Sequence, residues 1–265
     1  MSGKQTDYLV DSHAHLNMEE FDNDRDEVIE RAFKAGVKAI LCPAEITDKK
    51  NLNTTFVLTK KYNNIIAAAG AHPHHAEKFT PENAAHIKTL AETKQIHAIG
   101  EIGLDFFYNH SSPKQQIKAF RKQLNIAQKL NLPAIIHSRS ASNEVISAIK
   151  EENFTWGGVL HCFTEDWEFA QQVLKLGFYI SFSGILTFPK SHSIREAARK
   201  ITLNKLLVET DSPFLTPVPY RGKIKRNEPV YVKETAKFLA EIKNISYEEV
   251  AAVTSRNFKT CFGLK

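Results

Sequence analysis

At 265 residues, 42% of them hydrophobic and 25% charged, the chain can bury one substantial core and lies near the ~250 residues of a typical eight-stranded β/α barrel. Its 35 Lys and Arg against 30 Asp and Glu leave a net charge of +5, a mild basic excess that suits an anionic substrate without requiring nucleic acid. Three scattered cysteines, Cys42, Cys162 and Cys261, exclude a disulfide framework and a Cys-x-x-Cys zinc site, and no apolar stretch approaches the roughly 20 residues of a membrane span. The opening Met1 to Asp7 carries no charged-then-apolar leader, so the expectation is a cytoplasmic protein of a reducing compartment, off the membrane and with no obligate protein partner evident.

Short apolar, β-rich runs alternate with longer amphipathic segments along the whole chain. The runs are Tyr8 to Ser12, Val37 to Cys42, Ile65 to Gly70, Ile96 to Ile102, Ala134 to Ser138, Gly158 to Phe163, Phe178 to Ser183 and Leu206 to Thr210. Between the first two, Asp24 to Lys34 reads as a helix, with Val28, Ile29, Ala32 and Phe33 on one side and Asp26, Glu27, Glu30 and Arg31 on the other. Pro113 to Leu130 reads the same way, with Ser112 as its cap and Pro113 in its first turn. After the last run come a proline-rich, basic loop, Pro217 to Pro229, and two helical segments, Val230 to Ile242 and Ser246 to Cys261. Eight strands with intervening helices predict an α/β fold, a single (β/α)8 TIM barrel over residues 1–265, with no linker, repeat or low-complexity tract.

Six metal-ligand side chains stand at the far ends of five of these runs: His13 and His15, Glu101, His137, His161 and Asp211. A lone His-x-His is weak evidence, since any strand puts residues two apart on one face. In a β/α barrel, however, strand ends far apart in sequence converge at one mouth, where the active site lies. Imidazole and carboxylate together suit zinc, manganese, nickel or iron, while carboxylate and water favour magnesium. Six ligands exceed what one catalytic zinc takes, so two divalent ions with Glu101 reaching both is the reading, an arrangement that activates water. Without a cation, Glu101 and Asp211 would be costly, partly buried carboxylates.

The segments Val10 to Leu16, Ala71-His72-Pro73-His74, Gly100 to Asp105, His137-Ser138-Arg139, Leu160 to Phe163 and Val208 to Pro213 resemble the TatD family of metal-dependent deoxyribonucleases, nearly end to end. The resemblance implies an amidohydrolase-type barrel that cleaves DNA phosphodiesters with metal-activated water, usually with magnesium, with manganese or zinc as alternatives. It implies that His13, His15 and Asp211 hold a first ion, that His137 and His161 hold a second, and that Glu101 bridges them. Asp211 is then also the expected base, and His72 is placed on the phosphate or leaving oxygen. Arg139 offers a guanidinium fork for phosphate, and Tyr220 with Arg221 a stacking face and a cation for DNA, single-stranded or at frayed ends. The chain departs from the family pattern at Glu165, where glycine is common, and at the extra Ile224-Lys225, both on loops.

Other residues read more plainly. Asp11 either orients a ligand or caps a turn, Asp105 reads as structural, and His74 and His75 as solvent-facing. Cys162, next to His161 on a strand, should face the helices and is rejected as a nucleophile. Neither a Gly-x-Ser-x-Gly elbow nor a Gly-Lys-Ser/Thr phosphate loop occurs. Two other functions use the same residues: hydrolysis of a small phosphate ester, amide or lactone, and a non-catalytic binding protein with a degenerate site.

Overall fold

The computed structural model describes residues 9–264, and Tyr8 of the first apolar run lies outside them. Eight parallel strands follow one another in sequence order around a single sheet: β1 (Leu9–Asp11), β2 (Val37–Glu45), β3 (Ile65–Gly70), β4 (Ile99–Asp105), β5 (Ala134–Arg139), β6 (Gly158–Leu160), β7 (Phe178–Phe182) and β8 (Leu206–Val208). Helices α1 (Arg25–Lys34), α2 (Lys49–Lys61), α3 (Pro81–Glu92), α4 (Pro113–Leu130), α5 (Ser142–Glu151), α6 (Trp167–Lys175) and α7 (His192–Lys200) fill the successive connections, and α8 (Val232–Lys243) and α9 (Tyr247–Cys261) follow β8. This is the expected (β/α)8 barrel. The strands are buried on both faces along most of their length, which is why they read as almost continuous apolar runs. Among the described residues no helix is long and apolar enough to cross a membrane.

The helices form where their capping chemistry says they should. Ser112 accepts from the Gln115 amide while the Gln115 side chain returns to the Ser112 amide, and Asn131 ends α4 in the left-handed conformation. Helix α1 begins at Arg25, one residue after its predicted start, and α8 begins at Val232 rather than Val230.

Val10, Leu41, Ala68, Ile135, Val159 and Leu207, from six different strands, pack into one cluster with Phe258 and Phe262 from the C-terminal helix and its end. Residues from so many strands meet only inside the barrel, so this cluster is its floor. Strand alternation then sets His137, two residues beyond Ile135 on β5, above it and into the mouth, while His161, one residue past the end of β6, is held beside β5 by its backbone hydrogen bond to Ile136 O (3.1 Å).

The strands end earlier, or begin later, than their apolar runs. β4 starts at Ile99 and continues to Asp105, while β1, β6 and β8 stop at Asp11, Leu160 and Val208. Beyond β1 and β8 the two chains still meet. Ser12 N donates to Val208 O (3.1 Å), Asp211 N to His13 O (2.9 Å) and His15 N to Ser212 O (2.8 Å). The barrel is therefore closed by the same backbone that carries His13, His15 and Asp211. Asp11, fully buried beneath this seam, accepts from Thr210 N (2.9 Å), Thr210 Oγ1 (2.5 Å) and His13 N (3.2 Å). It holds the His13 backbone rather than any imidazole.

Candidate metal centre

All six predicted ligands meet at the C-terminal mouth, and Glu101 is at their centre. Its Oε2 lies 3.2 Å from His13 Nε2 and 3.6 Å from His15 Nε2. Its Oε1 lies 2.7 Å from His161 Nε2, 3.0 Å from His137 Nδ1 and 3.3 Å from His72 Nε2. Asp211 Oδ1 completes the first group, 3.4 Å from His15 Nε2 and 3.9 Å from His13 Nε2. Each carboxylate oxygen of Glu101 thus serves its own set of imidazoles.

The donor set fits metal ions on geometric grounds. Metal–nitrogen bonds of about 2.0–2.1 Å in tetrahedral or octahedral coordination put neighbouring donors roughly 3.0–3.4 Å apart. His13 Nε2 and His15 Nε2 are 3.1 Å apart, and His161 Nε2 and His137 Nδ1 are 3.4 Å apart. Three triads, His13–Glu101–His161, His13–His15–Asp211 and His72–Glu101–His137, each keep their donor atoms within 4.8 Å of one another. Nitrogen lone pairs packed this closely need a shared cation or protons to hold them.

Charge at the centre is arranged to match. Burial works against ionising Glu101, but His161, His72 and the other imidazoles outweigh it and hold the carboxyl well below its usual range. Asp211 is likewise opposed by burial, yet held down by its hydrogen bond and charge interaction with His15. Burial pushes His13 down, whereas His161, although equally buried, is pushed well up by Glu101 and then Glu209. Both carboxylates stand ready as anions.

His72 occupies a different position in the chemistry. It caps the 3-10 turn Pro73–Lys78, and its Nδ1 accepts from the His74 amide at 3.1 Å. An accepting Nδ1 places the proton of neutral His72 on Nε2, the atom that faces Glu101 Oε1. His72 therefore presents an N–H to the centre, which suits a contact to substrate oxygen better than a bond to metal.

Several supporting residues escaped the sequence reading. Glu209, fully buried, accepts from Cys162 N (2.7 Å) and Ser12 Oγ (3.4 Å), and its Oε1 lies 3.4 Å from His161 Nδ1. Glu45 Oε2 accepts from His72 N (3.0 Å) and faces His75 Nδ1 (3.0 Å). Asp105, read as structural, has its Oδ1 on the Phe107 and Tyr108 amides, but its Oδ2 meets both His137 Nε2 (3.2 Å) and His74 Nε2 (3.0 Å). It orients a proposed ligand. The motif Glu209-Thr210-Asp211 carried a signal in its second carboxylate just past β8, which ends at Val208.

Two further expectations are corrected. His74 is not simply solvent-facing: it is half-buried against Asp105, and burial lowers its pKa to about 4. His75 remains the more exposed of the two, although it pairs with Glu45. Cys162 does not face the helices, because β6 ends at Leu160 and strand alternation stops there; with φ at 44° it turns to line the mouth. Burial and the nearby carboxylates raise its thiol well above the ordinary value, so it is no nucleophile for a different reason.

The mouth opens into a cavity of about 900 Å³ whose walls include His15, Glu101, His161, Asp211, Arg139 and Phe214. Arg139 is exposed, its guanidinium 4.5 Å from the Phe107 ring centre and 4.7 Å from that of Tyr108. Tyr220 and Arg221 are not brought to this wall. Tyr220 packs on Tyr231 with ring centres 4.6 Å apart, and Arg221 lies 4.1 Å over Phe188. Arg226 from the same loop pairs with Asp24 and Glu228.

A parallel barrel whose mouth gathers five strand-end imidazoles and two ionised carboxylates is a metal-dependent hydrolase in build. The family profile described as TatD related DNase matches residues 10–263, and the chain belongs to that family. It is 42% identical over 255 residues to the uncharacterized metal-dependent hydrolase YabD of Bacillus subtilis, covering 96% of this chain and 98% of the relative. It is 34% identical over 265 residues to the 3'-5' ssDNA/RNA exonuclease TatD of Erwinia amylovora, covering 97% and 100%. Among solved structures, the TatD homologue YJJV of Escherichia coli K12 superposes with a TM-score of 0.89 at 28% identity, over 97% of this chain and 98% of that one. The protein is a TatD-type metal-dependent hydrolase.

Proposed function

We propose that this hydrolase removes nucleotides from the end of single-stranded DNA or RNA, using two divalent ions held by His13, His15 and Asp211 on one side and His137 and His161 on the other, with Glu101 between them. The observation that carries the reading is the division of Glu101, whose two oxygens face separate imidazole sets. The relative named as a 3'-5' ssDNA/RNA exonuclease supports the substrate class. When bound, such ions lower the pKa of water and offset charge on a displaced oxygen.

The chain's own residues supply the rest. Asp211, an ionised carboxylate at the mouth, accepts the proton of the attacking water. The new P–O bond forms as the opposite one breaks, and His72 Nε2–H donates a hydrogen bond to the leaving oxygen as charge gathers there. Asp105 and Glu209 keep His137 and His161 aimed inward. Magnesium is the ion the family resemblance implies, while the imidazole-rich donor set favours manganese or zinc. The three free thiols suit the reducing cytoplasm.

The test is end-labelled single-stranded DNA and RNA offered to metal-stripped protein, then to protein reloaded with magnesium, manganese or zinc, beside Glu101→Gln and Asp211→Asn. Stepwise shortening from the 3' end, restored by metal and lost in both variants, is the expected result. Intact DNA and RNA in the presence of fully loaded protein that still hydrolyses bis(4-nitrophenyl) phosphate would replace this reading with a small-ester hydrolase.

A further inference from the structure

We infer that Arg139, packed against both Phe107 and Tyr108, is a separate subsite for the phosphate next to the one being cleaved, so that the strand leaves the mouth past β4 and β5. The inference rests on the nucleic-acid reading of the same centre and adds to it an exit path for the strand and a minimal substrate.

The cavity wall contains two lysine or arginine side chains, Lys50 and Arg139. Lys50 is neutralised by Asp22 at 2.8 Å. The Arg139 guanidinium has no carboxylate or other hydrogen-bond partner among the described residues, so it is the one fixed cation of the mouth left with an unmet demand for an anion. An arginine side chain left loose would offer a weak anion site, because it pays entropy on binding. Here the two rings hold the guanidinium in place by cation–π contact, which leaves its N–H edge available for a phosphate fork.

Its position separates it from the scissile phosphate. Phe107 and Tyr108 are 59% and 50% exposed, so the guanidinium they hold is at the solvent rim, whereas Glu101 and His161 below are 6% and 4% exposed. Arg139 is two residues beyond His137 on one strand, the same face one repeat of about 6.6 Å further out. That displacement is of the order of one nucleotide. Across the ring, three to four strands away, Glu19, Glu20 and Asp48 from the loops after β1 and β2 line the other side of the mouth. Carboxylates there repel a continuing phosphate backbone, which leaves the Arg139 side as the exit.

The experiment compares the dinucleotide TpT, whose single phosphate is the scissile one, with TpTpT, which carries one more. Two readouts are taken for wild type, Arg139→Ala, Arg139→Lys and Phe107→Ala: affinity of metal-stripped protein by calorimetry, and kcat/KM with manganese. Wild type should favour TpTpT over TpT by about tenfold in both, the scale of one charge-assisted fork at a rim. Arg139→Ala should bring that ratio near one, with Arg139→Lys and Phe107→Ala between, since each keeps the charge but loses the fork or its support. A wild-type ratio within about twofold of one, or a ratio that survives Arg139→Ala, overturns the subsite. Should neither substrate be turned over, the nuclease reading fails while the calorimetric ratio still decides the subsite.

Discussion

Replacing Glu101 by Gln tests the centre most directly, because the change is isosteric and removes one charge. The carboxylate now has five imidazole nitrogens within 3.6 Å, divided between its two oxygens. An amide has one accepting oxygen and one NH2 group, so one side of the centre loses its anionic ligand outright and the other keeps only a neutral one. Loss of one ion's share of charge stabilisation, several kcal/mol, corresponds to roughly a thousandfold or more in kcat. Metal analysis after gel filtration should then find fewer bound ions than in wild type.

The metal-free protein gives an independent reading of the same substitution. Glu101 is held below its ordinary pKa, so its contribution is present above about pH 4.5 and is lost as pH falls through the depressed value. His161 is held above its own, so its contribution is full below about pH 6.5 and is lost as pH rises through the raised value. Between those limits Glu101→Gln leaves the buried His161 imidazolium without its nearer carboxylate, with only Glu209 at 3.4 Å, at a cost of up to about 3–5 kcal/mol. At more alkaline pH His161 discharges and the cost falls to a lost hydrogen bond, about 1–3 kcal/mol. Urea midpoints followed upward from pH 5.5 measure the difference. A destabilisation that stays constant as pH rises, with metal content and kcat within tenfold of wild type, would refute the bridging role.

On the proposed two-ion centre, Glu209→Gln should weaken one ion by about 10–100-fold while sparing the other, because the buried carboxylate supports His161 alone among the proposed ligands; unchanged affinities in a metal titration would leave Glu209 only its backbone role. Burial depresses His97, whose Nδ1 is without a partner, so its stability contribution is complete above about pH 6.5 and is lost on acidification as the unfolded chain takes the proton first. His97→Leu should therefore lessen the fall in urea midpoint from pH 7 to 5, and a parallel shift at both pH values would contradict this. Gly103 has φ near +145°, and a Cβ there would stand 2.0 Å from His137 O, so Gly103→Ala should cost about 3 kcal/mol or more and lower metal occupancy together with stability. A wild-type unfolding midpoint for that variant would show that β4 and β5 can separate without harm.

The barrel and its six ligands were legible for a shared reason. Parallel strands buried on both faces are largely apolar, so a charged residue inside such a strand, as Glu101 is two residues after Ile99 in β4, stands out against its background. Chain order then placed all five strand ends at one mouth. What the sequence concealed depends on contacts across strands. Glu209 meets Cys162 from 47 residues away, and Asp105 meets His137 from 32, so neither pairing leaves a local pattern. Arg139 reads as a phosphate ligand from its residue type alone, but the rings that fix it come from the β4–α4 connection. Cys162 was misplaced because alternation was extended beyond the last ladder pair, where a left-handed residue reverses it.

The position of the first ligand group also explains why the barrel tolerates such short strands at its closing edge. β1 and β8 have three residues each, and no ladder of paired strands joins them directly. Closure depends on three backbone hydrogen bonds and on Asp11, which binds Thr210 and His13 at once. The residues those bonds align are His13, His15 and Asp211, so a cation drawing the three side chains together also draws β1 toward β8. Binding free energy for that ion is then partly free energy of closure, through ordinary linkage to the folded state. The second group has no such dependence, because β5 and β6 are joined by a regular ladder up to Ile136 and Leu160 whether or not a metal is present. Under the proposed two-ion centre, a preformed second site beside a first site that completes the seam would give the two halves of Glu101 unequal duties, with Oε1 anchored to existing structure and Oε2 helping to finish it.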